Sequence, residues 1–387
     1  MLAELDFTSA LYLGLRHSIC SVRPWAQFTT GKPAALWEPA GARIVARELG
    51  ALQSCEYASL GPSTLHLFWD FFGVLPKSGI ATYVDAGVYP IAKWGVDRAA
   101  ARGVFVQSFA HYDPDALGRL LKRGGLGGRR PVVVADGFCP ACGQPAPINL
   151  YLECIRAHEG ILVLDDTQAL GILGHSPEPN APYGLGGGGS LRWSHVNGSD
   201  VLLISSLAKA FGVPVAVLSG GGDVVRWFEE KSDTRVHCSP PSIAVIHAAE
   251  HALAVNEKLG DSLRLRLAHL VRYFRHRLIE SGFRAIGGFF PAQTLGPVPG
   301  LSAATLHERL LGLGVRTVLL NGHGGSGPRL TFLLTERHSQ IELDYSVDAL
   351  ALAAKGNVEE GVRDPVFQDT RRRLVCSQQR SYPNSVI

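Results

Sequence analysis

Along the middle of the chain, short apolar runs alternate with longer segments of helical spacing. PVVVAD (131–136), ILVLDD (161–166), VLLISS (201–206) and VAVLSG (215–220) are rich in Val, Ile and Leu and close on Asp, Ser or Gly. Near-continuous runs of this kind predict strands buried on both faces, as in a parallel sheet. INLYLECIRAH (148–158) has helical spacing between two of them, so a β-α-β rhythm results. YASLGPS (57–63) and ATYVDAG (81–87) predict two further strands, with a helix over STLHLFWDFFG between them.

The texture changes near Pro240. SIAVIHAAEHALAVNEKL and LRLRLAHLVRYFRHRLIESG predict two long amphipathic helices, the second closed by Gly282. Strand candidates VRTVLL (315–320) and PRLTFLLT (328–335) follow, then a helix over 341–355. The expected organisation is an N-terminal segment (1–45), a large α/β domain (46–250), a small α+β domain (251–358) and a loosely attached polar tail (359–387).

Composition narrows the class without naming a chemistry. A net charge of +3 over 387 residues, with no block of like charge, gives no case for nucleic acid or a membrane surface. No apolar run approaches the roughly 18–20 residues that span a bilayer. MLAELDFTSA carries acidic residues and does not read as a signal peptide. Seven scattered cysteines, an odd number, suit a reducing compartment, so the cytoplasm is expected.

Candidate chemistry sits at the ends of the predicted strands. Asp165 ends a buried strand, at the edge where open α/β sheets bind ligands. In LLISSLAKAFG, Lys209 follows an apolar strand end, where desolvation favours a neutral amine able to attack an aldehyde. Gly-Pro-Ser-Thr at 61–64 opens a helix whose free N–H groups and hydroxyls suit a phosphate. Each signal alone is unspecific. An aldehyde-binding lysine, a carboxylate for a ring nitrogen and a phosphate cradle together describe pyridoxal phosphate.

Several segments carry a family resemblance. FTSALYLGL (7–15), YVDAGVYPIAKWGV (83–96), VVVADGFCPACGQPAPI (132–148), LVLDDTQALGILG (162–174), SSLAKAFG (205–212) and GPRLTFLLTERHS (327–339) resemble motifs of the α-oxoamine synthases. That family includes 8-amino-7-oxononanoate synthase, 2-amino-3-ketobutyrate CoA ligase, 5-aminolevulinate synthase and serine palmitoyltransferase. The resemblance implies the aspartate-aminotransferase-like fold (PLP fold type I): a three-layer αβα domain with a mostly parallel sheet, plus a smaller α+β domain. It implies Lys209 as the Schiff-base lysine, Asp165 on the pyridine nitrogen, and Ser206, Ser63 and Thr64 at the phosphate. Ser239 would reach the phosphate of the neighbouring subunit, in a homodimer with shared active sites. Tyr89 takes the place of the histidine that stacks on the ring, and Asp136 falls among the cofactor-binding positions.

The departures concern the substrate side. Gln168 stands where the family has a histidine, so a proton donor becomes a neutral amide. Of the arginine pair in the C-terminal signature only Arg329 remains, as the candidate for the substrate carboxylate, with Thr331 in the second place. The implied activity condenses an amino acid with an acyl-CoA or acyl-carrier thioester through an external aldimine and a quinonoid. A PLP-dependent aminotransferase, favoured by Tyr89 and Gln168, is the alternative, and a non-catalytic subunit of the same fold is a second. Cys139-Pro-Ala-Cys142 lacks a second cysteine pair, and the run Gly186 to Gly189 lacks a following Lys-Ser/Thr. Both read as loops, and no metal is expected.

Overall fold

A computed structural model describes residues 4–76, 79–123, 127–322, 327–356 and 365–381. The chain divides into two compact units, one of Leu13–Cys139 and Pro145–Ser262, the other of Met1–Tyr12, Pro140–Gln144 and Leu263–Ile387. The N-terminal segment expected as one piece is therefore shared between them, and the division expected after residue 250 falls after Ser262. The boundary expected at 358 lies outside the described residues.

The larger unit is built on seven strands: β1 Tyr57–Gly61, β2 Ile80–Asp85, β3 Phe105–Phe109, β4 Arg130–Asp136, β5 Ile161–Asp165, β6 Val201–Ser206 and β7 Ala216–Gly220. Their order is β1-β7-β6-β5-β4-β2-β3. All pairings are parallel except those of β7, which runs antiparallel to both neighbours. The apolar run at 215–220 does not by itself reveal that reversal. The reason is the short connection Leu207–Val215, which leaves no room for the helical crossover that parallel neighbours need.

Side chains alternate across this sheet. Val133, Ala135, Leu162, Leu164 and Leu203 pack beneath α4 (Pro114–Arg123) and α5 (Ile148–Arg156) through Leu117, Leu121, Tyr151 and Ile155. Val132, Val134, Val163, Leu202 and Ile204 pack on the other face against Phe68, Phe71 and Phe72 of α2 (Thr64–Val74), Val96 and Ala99 of α3 (Pro90–Ala101), and Val225 and Phe228 of α6 (Gly222–Lys231). This is a three-layer αβα unit, buried on both faces as the strand composition predicts. Helix α1 (Ala42–Leu52) joins a third cluster through Val45 and Leu49.

The two helices expected between 242 and 282 are one, α7, running from Ile243 to Glu280. Gly260 and Ser262 read as punctuation. A single Gly inside a helix costs only about 1 kcal/mol relative to Ala, which the flanking apolar faces override.

The smaller unit carries an antiparallel sheet of β8 (Ala285–Ile286), β9 (Ala292–Leu295), β10 (Val318–Asn321) and β11 (Pro328–Leu333), in the order β8-β9-β11-β10. Its helices are α8 (Ala303–Gly312), α9 (Gln340–Lys355) and α10 (Pro365–Ser381). A capping box of Ser339 and Glu342 starts α9, and Gly356 in the left-handed region ends it. The stretch expected as a loose polar tail instead carries α10. Phe367 and Leu374 are buried, the Phe367 ring lies 5.0 Å from that of Tyr345, and Thr370 Oγ1 donates to Asp348 at 2.8 Å. Among the described residues no helix is long and apolar enough to cross a membrane.

Candidate active site

Three aspartates end adjacent strands at one edge of the large sheet: Asp85 on β2, Asp136 on β4 and Asp165 on β5. Asp136 and Asp165 stand directly opposite in the register, and all three are buried. Parallel strands bring their carboxyl ends together, so a motif that looks like unrelated strand terminators in sequence becomes one acidic cluster.

Lys209 supplies the cation. It lies in the turn after β6, half-buried, with Nζ 5.8 Å from the centre of the Tyr89 ring. Desolvation pulls its ammonium below the ordinary lysine value, opposed by the charges of Asp165 and Asp136. Asp165 is pushed up, first by burial. Hydrogen bonds from the Thr167 hydroxyl and backbone N–H, the latter at 3.0 Å to Oδ1, and the charge of Lys209 act against that push. The Thr167 hydroxyl also accepts from Ser206 N at 3.1 Å, which ties the end of β6 to the turn after β5. Gln168 lies in that same turn, half-buried.

The expected phosphate residues fall at the same sheet edge. Gly61 pairs with Ala216 and Ala216 with Ser206, so the ends of β1 and β6 lie two strand spacings apart, roughly 10 Å. Ser63 is the N-cap of α2, but its hydroxyl bonds His66 Nδ1 at 2.8 Å rather than a helix N–H. Thr64 opens the helix, and Ser206 Oγ accepts from Ala208 N at 3.2 Å. The first-turn amides of α2 therefore keep their capacity for an anion. Ser239 is exposed in the loop after His237.

Arg329 belongs to the smaller unit. It lies on β11 opposite Leu320 and lines a cavity of about 300 Å³ with Leu295, Val298 and Leu306. Thr331, in the place of the second family arginine, is buried, its hydroxyl 2.9 Å from that of Thr294. A guanidinium there would have to be desolvated.

Sequence reasoning missed the residues that support this edge. Asp85 accepts from Gly87 N (2.7 Å), Tyr112 N (2.8 Å) and Tyr151 Oη (3.1 Å), and its Oδ1 lies 2.7 Å from His111 Nδ1. His111 stacks on Tyr112 at 4.0 Å, and a Cβ at Gly87 would collide with the His111 ring. The available signal was Asp85 ending a predicted strand, like Asp165. His338 is a core residue: it stacks on Phe7 at 4.5 Å, and its Nδ1 accepts from Thr335 N at 2.9 Å.

Asp166, beside Asp165, points into protein instead. Gly137 and Gly189 approach so closely that a Cβ at either would collide with its carboxylate, and its oxygens accept from Ser190 N at 3.1 and 3.3 Å. Burial pushes its carboxyl from 3.8 up to about 7, with the Asp165 charge adding and Ser190 opposing. The folded state thus holds this proton more tightly than the unfolded chain. Its contribution to stability is full below about pH 4 and is lost as pH rises through about 7. Asp166→Asn, which keeps an acceptor for Ser190, is expected to exceed the parent in unfolding free energy above pH 7 by on the order of 4 kcal/mol, three pKa units at 1.36 each. Near pH 4 the two should converge. Denaturant titrations at pH 4.5 and 8 check this, and an equal difference at both would contradict it.

Comparisons with known proteins bear on the family and the fold. The aminotransferase class I and II family matches residues 74–321. The 8-amino-7-oxononanoate synthase of Thioalkalivibrio sulfidiphilus is 27% identical over 271 residues, covering 69% of this chain and 66% of the relative. That of Geobacter sulfurreducens is 30% identical over 261 residues, covering 66% and 63%. The chain spans between about a half and two thirds of the length of the curated relatives it matches. Among solved structures, Sphingomonas wittichii serine palmitoyltransferase superposes with a TM-score of 0.77 at 16% identity, covering 90% of this chain and 86% of that one. The 8-amino-7-oxononanoate synthase of Francisella tularensis gives 0.68 at 15%, covering 92% and 98%. The fold is that of the PLP fold type I enzymes, and the resemblance to the α-oxoamine synthases is borne out. With that family match spanning residues 74–321, more than half of its length, the chain belongs to the aminotransferase class I and II family.

Proposed function

We propose that the chain is a pyridoxal-phosphate-dependent acyltransferase that condenses an amino acid with an acyl-CoA or acyl-carrier thioester. The observation that carries this reading is the half-buried Lys209 amine, lowered by desolvation, near the Asp165 carboxylate and the Tyr89 ring. The residues fit the group: an amine, a carboxylate fixed by Thr167, and the free amides of α2 with Ser63, Thr64 and Ser206 nearby in the sheet register.

Pyridoxal phosphate, when bound, supplies the aldehyde that takes up the amino acid and the ring that stabilises negative charge on its α-carbon. Lys209 would hold the cofactor and move a proton at Nζ; its lowered proton affinity favours the neutral, basic amine. Asp165 holds a negative charge for the ring nitrogen. Thr167 keeps that carboxylate oriented. Tyr89, its ring 5.8 Å from the Lys209 amine, would lie against the cofactor ring. Gln168 offers an amide to the substrate side, and Arg329 is the residue proposed for the substrate carboxylate.

A homodimer in the cytoplasm is part of the same reading, with Ser239 completing the neighbouring site. Leu36, Ile44 and Val236, left exposed in the larger unit, support a covered face. The test is thiol release: the purified protein, given each amino acid with a set of acyl-CoA thioesters, is expected to release CoA with one amino acid only. Conversion of a 2-oxo acid to an amino acid without thiol release would instead mark an aminotransferase.

A further inference from the structure

Tyr89 is 51% exposed, so packing alone does little to fix its ring. Its backbone, by contrast, is pinned. The loop from Ala86 to Tyr89 is held by Ala86 N donating to Phe109 O (2.9 Å), Gly87 N to Asp85 Oδ1 (2.7 Å) and Val88 N to Asp85 O (3.1 Å). The last link is Tyr89 N donating to Asp136 Oδ1 at 3.0 Å. Tyr89 is also the N-cap of α3, with extended backbone (φ −61°, ψ 141°), Pro90 next and no side-chain cap of its own. Asp136 therefore caps that helix from a different strand, where a carboxylate is favoured by the free N–H groups.

Asp136 is itself set by β4, by its register opposite Asp165, and by Tyr112 Oη donating to its carbonyl at 2.9 Å. We infer that Asp136 is a positioning residue: by holding the Tyr89 N–H it fixes the Tyr89 ring over Lys209 and the cofactor. The inference rests on the reading of Tyr89 as the ring that covers pyridoxal phosphate. It moves Asp136 from the cofactor-binding set to a role exerted through Tyr89.

The bond needs an acceptor, not a charge, which makes it separable from electrostatics. Asp136→Asn retains an oxygen for the Tyr89 N–H, whereas Asp136→Ala removes it. Apo protein is titrated with pyridoxal phosphate, reading the dissociation constant and the visible circular dichroism of the bound cofactor. Asp136→Ala is expected to weaken binding about tenfold, the upper size of one ordinary hydrogen bond, and to diminish the dichroism. Asp136→Asn should stay within about threefold, and Asp136→Ala made in a Tyr89→Ala background should add less than about twofold. Asp136→Ser replaces the alanine variant if the latter does not fold.

Equal effects of Asp136→Ala in both backgrounds, or an Asp136→Asn as damaging as Asp136→Ala, would overturn the inference. A Tyr89→Ala protein with unchanged affinity and dichroism would overturn the reading of Tyr89 first, and this inference with it.

Discussion

Lys209→Ala is expected to abolish the absorbance band of lysine-linked pyridoxal phosphate and to lower turnover by about 10³-fold or more, the combined loss of a covalent anchor and a proton-transfer base. The amine is not replaceable by charge. Asp165 and Asp136 both act on Lys209, so part of its value is electrostatic. Lys209→Arg keeps a cation there but, with a proton affinity too high to act as a nucleophile, should fail as completely. With alanine, two buried carboxylates facing one another in register lose their shared counter-charge, and the fold should hold a proton between them to a higher pH. Steady-state turnover and an absorbance spectrum of both variants check this. An alanine variant retaining a tenth of the parent activity would contradict it.

Asp165→Asn should cost about 10²- to 10³-fold in kcat, the scale of a group that stabilises charge developing in the transition state, with a smaller loss of cofactor affinity. Asparagine preserves the shape and an acceptor for Thr167 N, so packing and the tie from Thr167 to Ser206 should survive. What disappears is the negative charge that keeps a ring nitrogen protonated. Burial raises the Asp165 carboxyl, and the Thr167 bonds with Lys209 work to keep it ionised. Thr167→Val should therefore weaken the enzyme in the same direction and to a lesser degree. Activity of Asp165→Asn within threefold of the parent would remove Asp165 from the chemistry.

Asp165 was legible because it ends an apolar run, and Lys209 because it follows one. ILVLDD and VLLISS announce buried strands, and in a parallel sheet their ends must meet, so Asp165 and Lys209 could be paired without coordinates. The supporting network was not legible. Tyr112 reaches the Asp136 carbonyl, Tyr89 N reaches its carboxylate, and His111 reaches Asp85 across separations that follow no helical or strand period. Ser63 stands at the N-cap of α2, yet His66 takes its hydroxyl, which the sequence did not signal. The reversal of β7 depends on the length of one connection rather than on composition. Helix α10 hides because its buried Phe367 and Leu374 are two apolar positions among arginines and glutamines, too sparse a stripe to predict.

The central claim is that Lys209 is the amine that binds pyridoxal phosphate, and reductive trapping tests it most directly. The protein is incubated with pyridoxal phosphate, reduced with borohydride, digested, and the modified peptides are located by mass spectrometry. A stoichiometric pyridoxyl adduct on Lys209, with other lysines unmodified, is the predicted result. Modification spread over surface lysines, or concentrated on a lysine other than 209, would contradict it.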